Sequence, residues 1–487
     1  MVALSQLLSA CQVAHPLSEE LWVSSIEQHS QKVHPGALFF AFDGLHSRGE
    51  LWAKEAEDRG AVAVISERAI ADLSIPVIIV QEIRSLFSHL CAAFYGNPER
   101  QLTLIGVTGT DGKSSIAEFI QQLFERAGTE CGLLSTITCD DTRKRISNPY
   151  GQSTPEANDL FAFLASCRDA GTRYAVIEAT SHGLSGEYDR LGPIAFSAVV
   201  ITTITREHLD FHRTHQHYVE AKLSSIDRLK KTGIFVSSTE NPLLSTCLSR
   251  LQKSQQRIII GTDLPISLKR SSWKGTEFSV AGTPLESVLL LPAMVTSSVA
   301  AYATVQALVE EELPLTLLEQ VRAVAGRMEC IPNRLEAQIC IDFAHTPDSY
   351  LKVFAFAKEQ TPGRIISVIG ATGRRDRSKR AEMGSIARAN SDVLIYTEED
   401  PRDEELEQIF ADLRANEGAE AGILPIEIPK RAEAIAYALR LLEAGDTLLL
   451  LGKGHEEQML LATGAQPYSE REAVLAALQK EEKRRCR

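Results

Sequence analysis

The chain lacks three features that would each mark a class of protein. It has no two cysteines at CxxC spacing, although nine cysteines are scattered along its 487 residues, Cys11, Cys91, Cys139, Cys247 and Cys486 among them. That argues against a zinc site or a disulfide framework and for reduced thiols in a cytoplasmic protein. It has no apolar run approaching the roughly 18 residues of a membrane span, and its opening MVALSQLLSACQVAH lacks the basic start of a signal peptide. It has no surplus of positive charge. Lys+Arg 51 against Asp+Glu 64 give a net charge of -13, the opposite of a nucleic-acid or membrane-surface footprint. A locally basic pocket for an anionic small molecule is still compatible with that balance. Internal repeats and low-complexity tracts are also absent.

What is present is an ordinary globular composition, 44% hydrophobic and 24% charged, which excludes a collagenous or largely disordered chain. The length predicts about three domains. Ala37–Phe42 and Ala61–Ile65 are apolar runs of strand length in the first hundred residues. Leu102–Val107 reads as a buried strand followed by a Gly-rich turn. The helix after it places Ile116, Phe119, Ile120, Leu123 and Phe124 on one face and ends at Ala127-Gly128. Tyr174–Glu178 and Ser197–Ile201 are further buried strands, and strands alternating with helices imply a parallel sheet covered on both faces. Around Gly326 to Pro332 a hinge is expected. Beyond it Ile365–Ile369, Val393–Tyr396 and Thr447–Leu451 start a second α/β set, and the tail EEKRRCR reads as a solvated helix end.

Polar clusters follow these strands. Gly106-Val-Thr-Gly-Thr-Asp-Gly-Lys-Ser-Ser115 lies between a strand and a helix. Its glycines let backbone N–H groups turn toward phosphate oxygens, and the helix N-terminus adds positive potential. Lys113 can neutralise phosphate charge and the Ser114 hydroxyl can bind Mg²⁺. Glu178-Ala-Thr-Ser-His-Gly183 puts a carboxylate at the next strand end, where a hard cation would find an oxygen ligand or a structural salt bridge would form. Thr205-Arg-Glu-His-Leu-Asp-Phe-His212, followed by Ala221-Lys222, is a third cluster. In the last third, Asp342-Phe-Ala-His-Thr-Pro-Asp348, Glu399-Asp-Pro-Arg402 and Gly452-Lys-Gly-His-Glu456 also end strands. Gly373-Arg-Arg-Asp-Arg-Ser-Lys-Arg380 concentrates positive charge, as a solvated loop or an anion site.

Together these motifs resemble the Mur ligases, and among them the branch that makes the UDP-N-acetylmuramoyl-tripeptide. The resemblance covers nearly the whole chain, with its motifs in the family's order: TGTDGKSS at 108–115, STPEANDL at 153–160, EATSHGL at 178–184, REHLDFH at 206–212, EAK ending at Lys222, GRME at 326–329, DFAHTPDS at 342–349, EDPR at 399–402 and GKGHE at 452–456. It implies an α/β chain of three domains: a UDP-sugar-binding domain over 1–98, a central P-loop ATPase-like parallel sheet over 99–330, and a Rossmann-like domain over 331–487 for the incoming amino acid. The implied reaction is ATP- and Mg²⁺-dependent amide formation. The D-Glu side-chain carboxylate of UDP-MurNAc-L-Ala-D-Glu is phosphorylated, and the amine of a diamino acid displaces the phosphate. The same resemblance implies roles in cell-wall synthesis, cell shape and division. A monomer with no nucleic-acid partner is expected.

Carried over by position, Lys113, Glu178, His208 and Lys222 form the catalytic set. Ser114, Glu178, His208 and Lys222 as a carbamate would be the metal ligands. Gly109, Thr110, Asp111, Gly112, Lys113, Ser114, Ser115, Arg327, Asp342 and His345 would bind ATP. Ser30, Leu45, His46 and Ser47 would meet the uridine end of the second substrate, and Ser153, Thr154, Thr180 and Arg190 its muramoyl-peptide part. Arg375, Asp400, Arg402, Gly452 and Glu456 would surround the amino acid. The chain departs from the family pattern at Asp111 (usually Asn), Gln31 (Arg), Thr203 (Asn) and Glu207 (Asp). EDPR stands where diaminopimelate-adding members typically show DNPR. Arg402 favours a distal carboxylate and Asp400 a distal ammonium, so meso-diaminopimelate, slightly favoured, stands beside L-lysine and L-ornithine. The competing readings are another Mur-type or a folylpolyglutamate-type ligase, or a catalytically silent nucleotide-binding regulator.

Overall fold

The structure is a computed structural model, and it describes residues 1–14, 19–44, 48–205, 207–415 and 423–485. Leu45, His46 and Ser47, expected at the uridine end of the substrate, lie outside the described residues, as does Arg206.

Three α/β sheets follow one another. The first has four parallel strands in chain order, β1 (Ser25–Glu27), β2 (Ala37–Ala41), β3 (Ala63–Ser66) and β4 (Val77–Ile79). Every residue of β2 and β3 is buried, as a parallel sheet covered on both faces requires. Helix α1 (Ile83–Phe94) turns Ile83, Phe87, Leu90 and Cys91 inward. These join Leu102, Leu104 and Phe161 of the next unit in one continuous apolar cluster.

The central sheet has six parallel strands: β5 (Thr103–Thr108), β6 (Cys131–Leu134), β7 (Tyr174–Glu178), β8 (Phe196–Ile201), β9 (Leu229–Ser238) and β10 (Gln256–Ile260). Their spatial order is β6-β7-β5-β8-β9-β10, and two short antiparallel strands extend the β6 edge. After β5 the chain first builds outward on one side, then returns to place β8 on the other. The loops after β5, β7 and β8 therefore open into one crevice, the place where open α/β sheets bind ligands. Helix α2 (Lys113–Arg126) buries all five of the apolar residues that its sequence periodicity singles out. Helix α3 (His215–Asp227) carries Lys222, and α4 (Pro292–Leu308) packs on α2.

The third sheet runs in the order β11-β12-β16-β13-β14-β15 through β11 (Glu329–Cys330), β12 (Gln338–Asp342), β13 (Ile365–Ile369), β14 (Val393–Tyr396), β15 (Ile426–Glu427) and β16 (Thr447–Leu451). Only the pairing of β11 with β12 is antiparallel. This sheet thus begins at Glu329, two residues before the boundary read from the sequence and inside the expected hinge, because β11 pairs with β12. The terminal helix α5 (Glu470–Arg485) is tied down rather than only solvated. Arg431 and Glu470 form an ion pair with both side chains 0% exposed, at 2.6 Å, and Arg431 also donates to Leu451 O.

A buried pair of this kind is costly to break and cheaper to replace whole. Glu470→Gln alone is expected to lower unfolding stability by about 3–5 kcal/mol. Arg431→Met with Glu470→Leu should cost clearly less, and chemical denaturation of the three proteins compares them.

Candidate active site

At the carboxyl end of β5 the chain turns through Gly109-Thr-Asp-Gly112 into α2. The turn needs glycine twice: Gly109 has φ 139° and Gly112, the N-cap, φ 85°. A β-carbon on Gly109 would fall 1.7 Å from Thr202 Oγ1. Thr202 Oγ1 donates to Asp111 O at 2.7 Å, and the Thr110 N–H donates to Thr203 O at 2.7 Å. The buried Thr110 hydroxyl meets Tyr218 Oη at 2.8 Å and accepts from the Thr205 N–H. The loop is therefore held open by the segment after β8.

Two lysine amino groups converge on the loop. Lys113 Nζ donates to Gly109 O at 3.1 Å and to Thr110 O at 2.7 Å. Lys222 Nζ, on a side chain 1% exposed, also donates to Gly109 O. Burial, and then the Lys113 charge, hold the Lys222 amine well below the usual lysine range. Ser114 is buried in the first turn of α2.

Glu178 ends β7 fully buried, its Oε1 accepting from the Thr136 N–H at 2.6 Å and from Thr136 Oγ1 at 3.0 Å. Thr136 Oγ1 also lies 2.6 Å from Ser153 Oγ. Thr154 Oγ1 donates to Glu178 O, and Thr180 donates to Thr154 Oγ1. Arg190 is consumed internally, by Gln152, Thr154 O and an ion pair with Glu156. It shapes the 152–156 loop, leaving Ser153 and Thr180 as the residues of this group that line the cleft.

His208 follows β8 with φ 54°. Burial pushes its imidazole down to about 4, so near neutral pH the ring is uncharged and its nitrogen can act as a ligand. Its neighbour Glu207 makes the main contact across the cleft. Glu207 Oε1 lies 3.1 Å from His345 Nε2 and 3.8 Å from Lys379 Nζ, and Oε2 lies 3.5 Å from His208 Nε2. Burial alone would raise this carboxyl, but His208, His345 and Lys379 outweigh it and hold it well below the ordinary glutamate value. A second bridge joins Thr346 Oγ1 to Asp111 Oδ2 at 3.0 Å.

On the facing side, Asp342 ends β12 and accepts from the Met328 N–H at 2.6 Å and the Ala344 N–H at 2.7 Å. Burial raises its carboxyl. The Arg327 guanidinium sits 4.5 Å from the Phe343 ring centre. Most of the basic run is neutralised: Arg374 by Asp403, Arg377 by Asp412, and the buried Arg380 by Glu404 and Asp412. Arg375 lines the cleft with no ion pair among the described residues. The charge of Asp400 is also spent. Lys453 Nζ, on a fully buried side chain, lies 2.8 Å from Asp400 Oδ1 and 2.6 Å from Glu456 Oε2. The ammonium that Asp400 was read as favouring is supplied by the protein itself. Gly452 packs on Glu399, where a β-carbon would fall 1.9 Å from Oε2.

These groups share a cleft of ≈ 320 Å³, within the range of ligand sites. Thr110 to Ser114, Ser153, Thr180 and His208 line it from the central sheet; Arg327, His345, Arg375, Asp400, Arg402 and Glu456 line it from the third. An adjoining pocket of ≈ 140 Å³ is lined by Asp111, Ser115, Arg327 and Asp342 over apolar Leu291, Met294 and Ala300. Gly109, Thr154, Glu178, Arg190, Lys222 and Gly452 stand one layer behind these surfaces. Ser30 lines neither space; it is buried in the first unit, donating to Glu55 Oε2 at 2.7 Å. Thr136, Glu207, Thr346, Glu399 and Lys453 were missed as site residues. All of these but Thr136 stand inside the motifs, each next to an expected site residue: His208, His345, Asp400 and Gly452.

Among the described residues no three His, Cys, Asp or Glu side chains are placed to hold a metal by themselves. Ser114 and Glu178 still fit Mg²⁺, a hard cation that usually takes one or two protein oxygens and completes its shell with phosphate and water.

Two family models match, Mur ligase middle domain over residues 107–284 and Mur ligase, glutamate ligase domain over 326–454. A UDP-N-acetylmuramyl-tripeptide synthetase of Roseiflexus sp. (strain RS-1) is 36% identical, over 96% of this chain and 97% of the relative. A UDP-N-acetylmuramoyl-L-alanyl-D-glutamate--2,6-diaminopimelate ligase of Chlorobaculum tepidum is 35% identical, over 93% and 92%. A solved UDP-N-acetylmuramoyl-L-alanyl-D-glutamate--2,6-diaminopimelate ligase superposes with a TM-score of 0.63 at 25% identity, over 98% of this chain and 99% of that one. The fold also matches a MurF ligase from Thermotoga maritima in complex with ADP, with a TM-score of 0.64 at 20% identity over 95% and 98%. The chain belongs to the Mur ligase family, and the resemblance drawn from its nine motifs is borne out. By class it is an ATP-dependent ligase.

Lys453 gives the site a pH signature. In Lys453→Met, the buried Asp400 and the half-buried Glu456 become neighbouring acids with no cation. Burial already raises the Glu456 carboxyl, and a carboxyl whose folded pKa is raised destabilises the fold once it ionises. The variant should lose about 3–5 kcal/mol at neutral pH. Part of that loss should return as the pH falls toward about 5 and the acids take up protons. Denaturant melts of both proteins across this range measure it.

Proposed function

We propose that the protein is a UDP-N-acetylmuramoyl-tripeptide synthetase that adds a diamino acid to the D-Glu side-chain carboxylate of UDP-MurNAc-L-Ala-D-Glu at the expense of ATP. The observation that carries this reading is the meeting of two chemistries in one cleft. A lysine-bearing phosphate loop faces an arginine- and glutamate-bearing wall contributed by another sheet.

ATP would lie with its base in the pocket over Leu291 and Met294 and its phosphates along the 109–114 loop. There Lys113 would leave its bonds to the loop carbonyls for the phosphate oxygens. Transfer between two anions needs charge neutralisation and alignment more than a covalent catalyst. The dipeptide carboxylate attacks the γ-phosphorus and ADP leaves, giving an acyl phosphate. The incoming amine then attacks the acyl carbon, loses its proton, and phosphate departs as the amide forms. Ser153 and Thr180 would hold the peptide carboxylate end. Bound magnesium would supply further neutralisation of the triphosphate, with Ser114 and Glu178 as ligands for one ion and His208 with carbamylated Lys222 for a second. Carbamylation requires a neutral amine, and the buried, depressed Lys222 provides one.

The preferred amino acid is meso-diaminopimelate. Lys453 pairs with Asp400, and the guanidinium groups of Arg375 and Arg402 line the cleft beside them. A planar guanidinium pairs a carboxylate through two parallel hydrogen bonds. The proposed setting is the cytoplasm, in peptidoglycan precursor synthesis.

Phosphate release from ATP should require both UDP-MurNAc-dipeptide and a diamino acid; no stimulation by any diamino acid rejects the reading. Lys222→Ala should abolish release. Arg402→Ala should lower kcat/KM for meso-diaminopimelate by about 10–100-fold, the worth of one charge-assisted contact, and affect L-lysine less. A competition assay with both amino acids and L-ornithine reads the preference directly.

A further inference from the structure

Cys330 and Cys340 stand directly opposite each other on β11 and β12, with their Sγ atoms 3.2 Å apart. The Ile331 N–H donates to Ile339 O at 2.8 Å. Residues 331 and 339 are thus a hydrogen-bonded pair, and 330 and 340 form the intervening non-hydrogen-bonded pair. In such pairs the Cα atoms approach to about 4.5 Å, within the span of a disulfide. β11 is the edge strand, and Cys330 is half-buried there while Cys340 is buried. The ladder ends at the nucleotide-side residues. Met328 N–H donates to Asp342 Oδ2, Phe343 N–H donates to Gly326 O, and Arg327 lies between these contacts.

We propose that Cys330 and Cys340 are a reversible oxidation site, at which a peroxide joins the two thiols into a cross-strand disulfide that shifts Arg327. The Cys330 sulfur attacks a peroxide oxygen, the O–O bond breaks, and water leaves with a sulfenic acid formed. The Cys340 sulfur displaces the sulfenic hydroxyl as a second water, and the S–S bond closes. The thiols lose two electrons and two protons, and hydrogen peroxide becomes two waters. The contact between the thiols favours the first step: the hydrogen bond from Cys340 holds Cys330 below its ordinary value, while that same bond and then burial push Cys340 up. A lowered thiol is the more readily oxidised one. Opposed β-carbons in a sheet lie about 4.5–5.5 Å apart, and a disulfide prefers about 3.8 Å. Closing the bond therefore draws β11 toward β12 and moves the residues just before it. The same strain makes the bond easy to reduce.

The full-length protein is treated with one equivalent of hydrogen peroxide and mapped by mass spectrometry without reductant. The expected result is a peptide joining Cys330 to Cys340, lighter by two hydrogens, that dithiothreitol separates. Two reduced thiols, or two separate sulfinic acids, overturn the site. The linked protein should show a severalfold higher KM for ATP, reversed by dithiothreitol. Cys330→Ser should keep the untreated activity and show neither change. An unchanged KM in the linked protein, or the same rise in Cys330→Ser, overturns the coupling to Arg327. The KM readout rests on the proposed ligase activity, whereas the peptide map does not, so failure of one is distinguishable from failure of the other.

Discussion

The cleft depends on how one buried carboxylate is satisfied. Glu207 leaves the central sheet after β8 and finds its partners, His345 and Lys379, on elements of the third sheet, 3.1 and 3.8 Å away. A lone buried carboxylate is expensive and a paired one is tolerable. The two sheet ends therefore have reason to face each other rather than drift apart. Thr346 on Asp111 adds a second point of contact at the phosphate loop itself. Both Glu207 and Asp111 depart from the family pattern. Each of them reaches across the gap between the two units.

Behind that contact the site is built in layers. Lys222, Glu178 and Thr154 do not line the cleft; they determine where the surface groups stand. Lys222 and Lys113 share a carbonyl of the phosphate loop, and Thr154 ties the 152–156 loop to the end of β7. Lys453 does the same on the other wall, where one buried ammonium holds two acids, Asp400 and Glu456.

Much of this was legible in the sequence because parallel strands buried on both faces read as unbroken apolar runs. The stretches at 37–42, 102–107, 365–369 and 447–451 all became strands to within a residue or so. The site was legible as a set of polar clusters that follow those strands. What escaped was pairing at long range. Lys453 is 53 residues from Asp400, and Glu207 is 138 from His345; no local spacing announces either contact. The basic run at 373–380 stayed open between a solvated loop and an anion site for the same reason, since its acid partners come from 403, 404 and 412. β11 fell inside the expected hinge at 326–332 because two residues are too few to show a periodicity.

The apolar cluster under α1 is not the property of one sheet. Phe87, Leu90 and Cys91 rest on Leu102, Leu104 and Phe161, residues that leave the ribosome later. Phe87 already meets Phe40 of the first sheet, with ring centres 4.9 Å apart, but the part of the cluster built from Leu102, Leu104 and Phe161 is completed only once residue 161 has been synthesised. A face shared in this way ties the complete burial of one sheet's helix to the arrival of its neighbour.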